Sequence, residues 1–179
     1  YPPSPEAVRA LTPDTIEPAG PADPSVTVVG FADLATCRPF GCIVNFACHA
    51  THMNGILYSA DYPKWLVDTV RAVYGPECGV VNLNGACGDV TQIDNRSPRP
   101  PEFGPYWAER TGRTAGAAAV QALARMDYVK SASVDSAVER VSAALRQPSA
   151  SDLRAARGLL AKHVITAENV ETIYARELI

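Results

Sequence analysis

The chain has 179 residues, of which 47% are hydrophobic and 20% charged, and its formal net charge is −3. This length and composition suffice for one globular domain with a real core. The slightly negative charge gives no electrostatic reason to expect nucleic acid or an anionic membrane as a partner. No apolar run is long enough to span a bilayer, and no secretory signal is visible. The chain starts at Tyr1 and stops at Ile179 inside a helical pattern, so a processed product or a fragment is expected.

The first half of the chain predicts an arm followed by two strands. Residues 1–25 hold seven prolines, which exclude regular helix or central strand and predict an extended arm. The β-branched run from Val26 to Leu34 predicts a strand, and residues 35–41 a turn. The segment from Gly41 to His49 predicts a second strand. It is apolar at nearly every position, as in a sheet covered on both faces.

A helix is predicted next, starting at Ser59-Ala60-Asp61, with Pro63 in its first turn and Gly75-Pro76 as its stop. A third strand is predicted for 78–84, a proline-rich loop for 94–105, and a long helix for 106–126. Several alanines give that helix a small-residue face that permits close packing. The order strand–strand–helix–strand–helix predicts an α/β domain.

The last third of the chain is less clear. Residues 134–146 fit both helical spacing and strand alternation, and helix is the local interpretation. Ser149 and Asp152 form a plausible capping pair for a helix that runs to about His163. Another helix is predicted to start at Thr166 and run to the end of the chain.

Five cysteines are present, and they do not form the CxxC pairs of a structural zinc site. Cys37 and Cys42 flank a short turn and have the spacing of a hairpin disulfide in an oxidising compartment. Cys48 and Cys87 lie in apolar runs and are interpreted as small buried hydrophobes.

Polar residues end two of the apolar strands, where ligands bind in α/β proteins. His49 at the end of a buried strand is well placed as a metal ligand, or it is a core histidine that bonds a backbone carbonyl. His52 is interpreted as a loop residue. His163, late in a helix, suits the helix dipole and a structural role.

Two further segments contain candidate site residues. Asp61 is a helix cap, a base, or a partner of a metal-bound histidine, and spacing alone favours the cap. The turn from Asn84 to Thr91 contains two glycines, so its backbone can approach a ligand or stabilise an oxyanion. Thr91 is a candidate nucleophile if a metal or base activates it. An ordinary tight turn is the alternative.

Taken in order, three segments resemble the N-terminal catalytic domain of the neutral/alkaline non-lysosomal ceramidase family, and most of all its divergent bacterial members. The matching pieces are Val44-Asn45-Phe46-Ala47-Cys48-His49, then Ser59-Ala60-Asp61-Tyr62-Pro63, and then Leu83-Asn84-Gly85-Ala86-Cys87-Gly88-Asp89-Val90-Thr91. The resemblance is useful over about residues 23–127.

The resemblance implies a zinc-dependent hydrolase that cleaves the amide of N-acylated sphingoid bases. Its zinc is held by two histidines, a glutamate and a tyrosine, and His49 matches the second histidine. The first belongs to an upstream His-x-His segment that this chain lacks, and the other two ligands lie beyond Ile179. Thr91 stands where the family has a catalytic serine, and Gln92-Ile93 replace its usual Pro-Asn. The family also implies a strand at 137–146.

The leading hypothesis is therefore a zinc-dependent hydrolase of an amide bond in an N-acyl lipid or related substrate. The expected fold is a mixed sheet with helices packed on it and a metal site at the strand ends. Residues 26–179 are expected to form a partial catalytic domain. His49 holds the metal, Thr91 and Asp61 are catalytic, and the substrate contacts are assigned to Asn84, Gly88 and Asp89. A second chain or segment completes the site.

Three alternatives remain open. In the first, the chain is a non-catalytic descendant of the same scaffold that binds a lipid or a glycan. In the second, it is a structural fragment of a larger enzyme. An esterase built on Ser59, His49 and Asp89 ranks last, because the nucleophile elbow is missing. Family members are often exported, so a secreted or periplasmic location is expected.

Overall fold

A computed structural model describes residues 20–93, 102–145, 147–165 and 169–179. The chain divides into two compact units, Tyr1–Ala132 and Ser133–Ile179. Most of the predicted arm, residues 1–19, and most of the predicted proline-rich loop, residues 94–101, lie outside the described residues.

The first unit contains a three-stranded mixed sheet in the order β1-β2-β3. Its strands are β1 (Val26–Ala32), β2 (Pro39–Phe46) and β3 (Gly79–Asn84). β1 and β2 are antiparallel, whereas β2 and β3 are parallel. The predicted α/β class and mixed sheet are therefore confirmed. β2 ends at Phe46, so His49 lies in the loop beyond the strand.

Two helices of the first unit, α1 (Asp61–Tyr74) and α2 (Pro105–Ala124), pack against each other and the sheet. α1 connects the two parallel strands, as a βαβ unit requires. The helices approach closely because α2 has glycine at the crossing. A Cβ at Gly112 would lie 2.2 Å from the carbonyl oxygen of Tyr62 and 2.5 Å from Cβ of Trp65.

One face of the sheet forms the core with these helices. Cys42 and Val44 of β2 are buried there against Leu66 and Ala119. The opposite side, called the open face below, contains alternate residues of the three strands. Its apolar members are Val29, Phe31, Ile43, Val81 and Leu83, and all except the half-buried Ile43 are exposed.

The prediction that β2 belongs to a sheet covered on both faces is wrong for the described residues. The apolar composition of a strand favours its burial. It does not show that a second layer of structure packs on the other face of the sheet. In the part of the molecule described, α1 and α2 pack on the face formed by Cys42 and Val44.

The second unit contains α3 (Ala150–Lys162) and α4 (Val170–Glu177), which contact each other. The predicted capping box is confirmed: the Ser149 side chain accepts from the Asp152 amide, and the Asp152 side chain accepts from the Ser149 amide. α3 ends at Lys162 with His163 as its C-cap, which agrees with the predicted end at about His163. Residues 166–168, where the next helix was expected to start, lie outside the described residues. α4 has Asn169 as its N-cap.

Residues 133–145 form neither helix nor strand. The helix prediction for 134–146 is therefore wrong over this range, and the strand implied by the family resemblance is not formed over 137–145. The physical reason is that none of the described residues covers the apolar side chains of this range, and Val138 is 95% exposed. Within the described ranges, no helix is both long and apolar enough to cross a bilayer.

Candidate functional site

The loops after β2 and β3 meet at one edge of the sheet, because parallel strands end on the same side. The Gly85 amide donates to the carbonyl of Phe46 at 3.1 Å. Further out, the Gln92 side-chain amide donates to the Thr51 carbonyl at 2.9 Å, and the Thr51 hydroxyl donates to Gln92 Oε1 at 2.7 Å. These contacts join the segment containing His49 to the segment containing Thr91.

The two glycines of the second loop differ in what they permit. A Cβ at Gly85 would lie 3.1 Å from the backbone of Ala47, so this glycine lets the two loops approach each other. A Cβ at Gly88 would meet nothing within 4 Å, and Gly88 is exposed. The free space beside Gly88 is compatible with the predicted substrate contact.

His49 is half-buried at this edge, and its Nδ1 lies 3.9 Å from the sulfur of Cys87. The family resemblance assigns zinc to His49. Within the described ranges, however, no group of three or more His, Cys, Asp or Glu side chains is arranged to hold a metal ion. These residues therefore offer one predicted ligand with a neighbouring thiol, not a closed set of ligands.

All five cysteines are free. Cys37 is exposed in the β1–β2 turn with φ at 54°, and it forms no disulfide with the buried Cys42. Cys48 is buried, as expected of a small hydrophobe, whereas Cys87 is half-buried beside His49. Burial raises the pKa of the Cys42 and Cys48 thiols to about 11, so both stay neutral near pH 7.

Asp61 is the first residue of α1 and is buried, with a φ of 52° that few non-glycine residues adopt. Its carboxylate accepts from the amides of Met53 and Tyr62, each at 2.7 Å. The N-cap position belongs to Ala60, which has no capping side chain. The carboxylate thus serves a first-turn amide and fixes the base of the loop before α1. The predicted catalytic role of Asp61 stays a prediction.

Tyr62 links three elements of the site. Its ring is fully buried and packs edge-on against Phe46. Its hydroxyl donates to the carbonyl of Cys48 at 3.2 Å and lies 3.5 Å from Oδ1 of Asn84. Burial raises the pKa of Tyr62 to about 12, so the phenol is a neutral donor. In the sequence Tyr62 is recognisable only as part of the Asp-Tyr-Pro segment, and no spacing indicates this role.

His52 was expected to be a loop residue, and it lies in the loop but is fully buried. Its Nδ1 is 2.7 Å from the carbonyl of Glu102, which can only accept, so Nδ1 carries the proton. Nε2 lies 2.9 Å from the Thr111 hydroxyl, which can serve as donor or acceptor. The His52 carbonyl accepts from the Gly104 amide at 2.7 Å. These bonds attach the loop to the start of α2.

Thr91 is exposed, and its hydroxyl donates to Gln92 Oε1 at 3.0 Å. It lines a cavity of about 620 Å³ between the end of β2, the loop after β3 and α2. That volume lies in the range of small-molecule sites. The cavity wall is mainly apolar with a few polar groups; its lining includes Phe46, Ala47, Val90, Trp107, Arg110 and Ala118. Asp89 is exposed. Of the six predicted site residues, all of which are described, Thr91 alone lines this cavity.

Comparison of the chain with protein-family models, with curated proteins and with solved structures finds no match.

Proposed function

We propose that this chain contributes the central part of a zinc-dependent hydrolase that cleaves an amide bond in an N-acyl lipid or a related N-acyl substrate. The observation that carries the proposal is the meeting of the two post-strand loops, through the contact of His49 with Cys87 and the Thr51–Gln92 bonds. Those loops contain the segments on which the ceramidase resemblance rests.

Four residues of the described chain have roles in this proposal: His49, Asp61, Tyr62 and Thr91. His49 is the metal-holding residue of this chain, and the other ligands come from a second chain or segment. When bound, zinc polarises the substrate carbonyl and lowers the pKa of a bound water. Asp61 and Tyr62 hold the loop after β2 in position, through hydrogen bonds with the Met53 amide and the Cys48 carbonyl. Thr91 is exposed at the wall of the cavity, where its hydroxyl can reach a substrate.

The test is the zinc content of the protein, isolated with every chain that co-purifies and measured by elemental mass spectrometry. We expect about one zinc per site in the wild type, lost in His49→Ala. The matched control is His163→Ala, because His163 is an exposed residue in the second unit at the end of α3. A protein that contains all its missing segments and still holds no zinc would overturn the proposal.

A non-catalytic binding domain on the same scaffold is the second candidate. The hydroxyl of Thr91 is already bonded to Gln92, whose side chain is held by Thr51. The cavity beside it has the size and apolar wall of a binding site. Zinc retained by the wild type without hydrolysis of a panel of amides and esters, together with lipid or glycan binding that changes Trp107 fluorescence, would favour this candidate.

A further inference from the structure

The loop between β2 and α1 presents three consecutive apolar side chains to water. Ile56 is 101% exposed, Leu57 88% and Tyr58 109% relative to the reference state for each residue. Isolated exposed apolar residues are normal on a protein surface, but three in succession at one loop tip are not explained by incomplete burial. These three residues are called the apolar tip below.

Hydrogen bonds fix the two ends of this loop, so the apolar tip projects from an ordered base. The Met53 amide donates to the Asp61 carboxylate at 2.7 Å, and this bond joins the two ends of the loop. The amide of Asp61 also donates to the Ser59 hydroxyl at 3.0 Å. On the other side, the buried His52 attaches the loop to α2.

Aromatic rings with cations stacked on them lie at the same end of the unit, where α1 and α2 begin. The ammonium of Lys64 lies 4.2 Å from the ring centre of Trp65, and the guanidinium of Arg113 lies 5.3 Å from it. Arg110 stacks on Trp107 at 5.1 Å. Tryptophan beside lysine and arginine is typical of surfaces at the level of lipid headgroups, where the ring is half in apolar surroundings and the cation meets phosphate.

We propose that the apolar tip inserts into the surface of a lipid bilayer, with the tryptophan–cation pairs at headgroup level. A protruding apolar tip fits a deformable partner. Lys64 and Arg113 form surface ion pairs with Asp68 and Glu109, so the apolar tip and the tryptophan rings contribute more to the fit than the charges do. The net charge of −3 gives no long-range attraction to an anionic membrane, so insertion of the tip is the dominant contribution. This proposal is independent of amide hydrolysis, because it concerns adsorption and not turnover.

The test is co-sedimentation of the 179-residue chain with phosphatidylcholine vesicles. The variant Ile56→Ser/Leu57→Ser/Tyr58→Ser removes the tip without touching a buried residue. Its partition coefficient should fall at least about a hundredfold, from the loss of two aliphatic side chains and an aromatic ring. High salt should weaken wild-type binding by less than about threefold, because screening acts on charges and not on apolar insertion.

A matched control replaces three equally exposed apolar residues in the second unit, as Val134→Ser/Val138→Ser/Val141→Ser. It should bind vesicles as the wild type does. The proposal is overturned if the wild type does not sediment, or if both triple variants lose binding equally. It is also overturned if size-exclusion chromatography shows a wild-type dimer that the tip variant dissociates, because the tip would then contact a second copy.

Discussion

Replacing Gly112 by alanine tests the packing on which the site is built. A Cβ at this position would lie 2.2 Å from the carbonyl oxygen of Tyr62 and 2.5 Å from Cβ of Trp65. Both contacts are well inside van der Waals distance, and the atoms belong to the backbone or its first side-chain carbon, which cannot rotate away. Overpacking of this kind costs about 3 kcal/mol at the upper end of the usual range, and the better helix propensity of alanine returns about 1. We expect a net loss of about 2 kcal/mol in unfolding free energy.

The assay is urea unfolding followed by tryptophan fluorescence, since both tryptophans of the chain lie in the first unit. The control is Gly158→Ala in α3, where a Cβ meets nothing within 4 Å. Followed by circular dichroism, it should gain about 0.5–1 kcal/mol from helix propensity alone. A Gly112→Ala protein as stable as the wild type would refute the close helix crossing and, with it, the reasoning that places Tyr62 at the site.

The remaining predictions concern buried groups of the site. Tyr62 has a folded pKa of about 12 against 10 when exposed, so the unfolded state loses its proton first and unfolding free energy should fall from pH 10 to 12. In Tyr62→Phe, that part of the alkaline slope, about 2 kcal/mol, should disappear; an unchanged slope would contradict the assigned burial. A maleimide at neutral pH should label Cys37 rapidly and Cys48 only after unfolding, and peptide mass spectrometry would reveal early labelling of Cys48 as a contradiction. His52→Ala should cost about 3 kcal/mol in urea unfolding, because it leaves a cavity and removes the hydrogen bonds to the Glu102 carbonyl and the Thr111 hydroxyl; a loss below about 1 would be inconsistent with these bonds.

The sequence predicted correctly those helix ends that depend on residues within one or two turns. Pro63 and Gly75 bracket α1, and Ser149 with Asp152 starts α3, because proline, glycine and capping side chains act within a few residues. The extent of β2 was less well predicted, since apolar residues continue past Phe46 into the loop.

Contacts between distant parts of the chain were not predictable in the same way. His52 is buried by partners 50 and 59 residues away, and no spacing in its own segment indicates them. The same holds for the Thr51–Gln92 bonds, which span 41 residues. The apolar pattern of residues 134–145 predicts a helix only if another surface covers it. The metal assignment of His49 rests on the family resemblance and stays a prediction.

The open face of the sheet affects how stability varies with temperature. Its apolar side chains Val29, Phe31, Val81 and Leu83 keep about half of their surface in water in the folded chain, and that half remains in water on unfolding. Surface that is wet in both states adds nothing to the heat-capacity change of unfolding. The stability curve of this chain should therefore be flatter than that of a sheet covered on both faces. A layer packed on the open face would increase both the heat-capacity change of unfolding, which curves the stability profile, and the unfolding free energy.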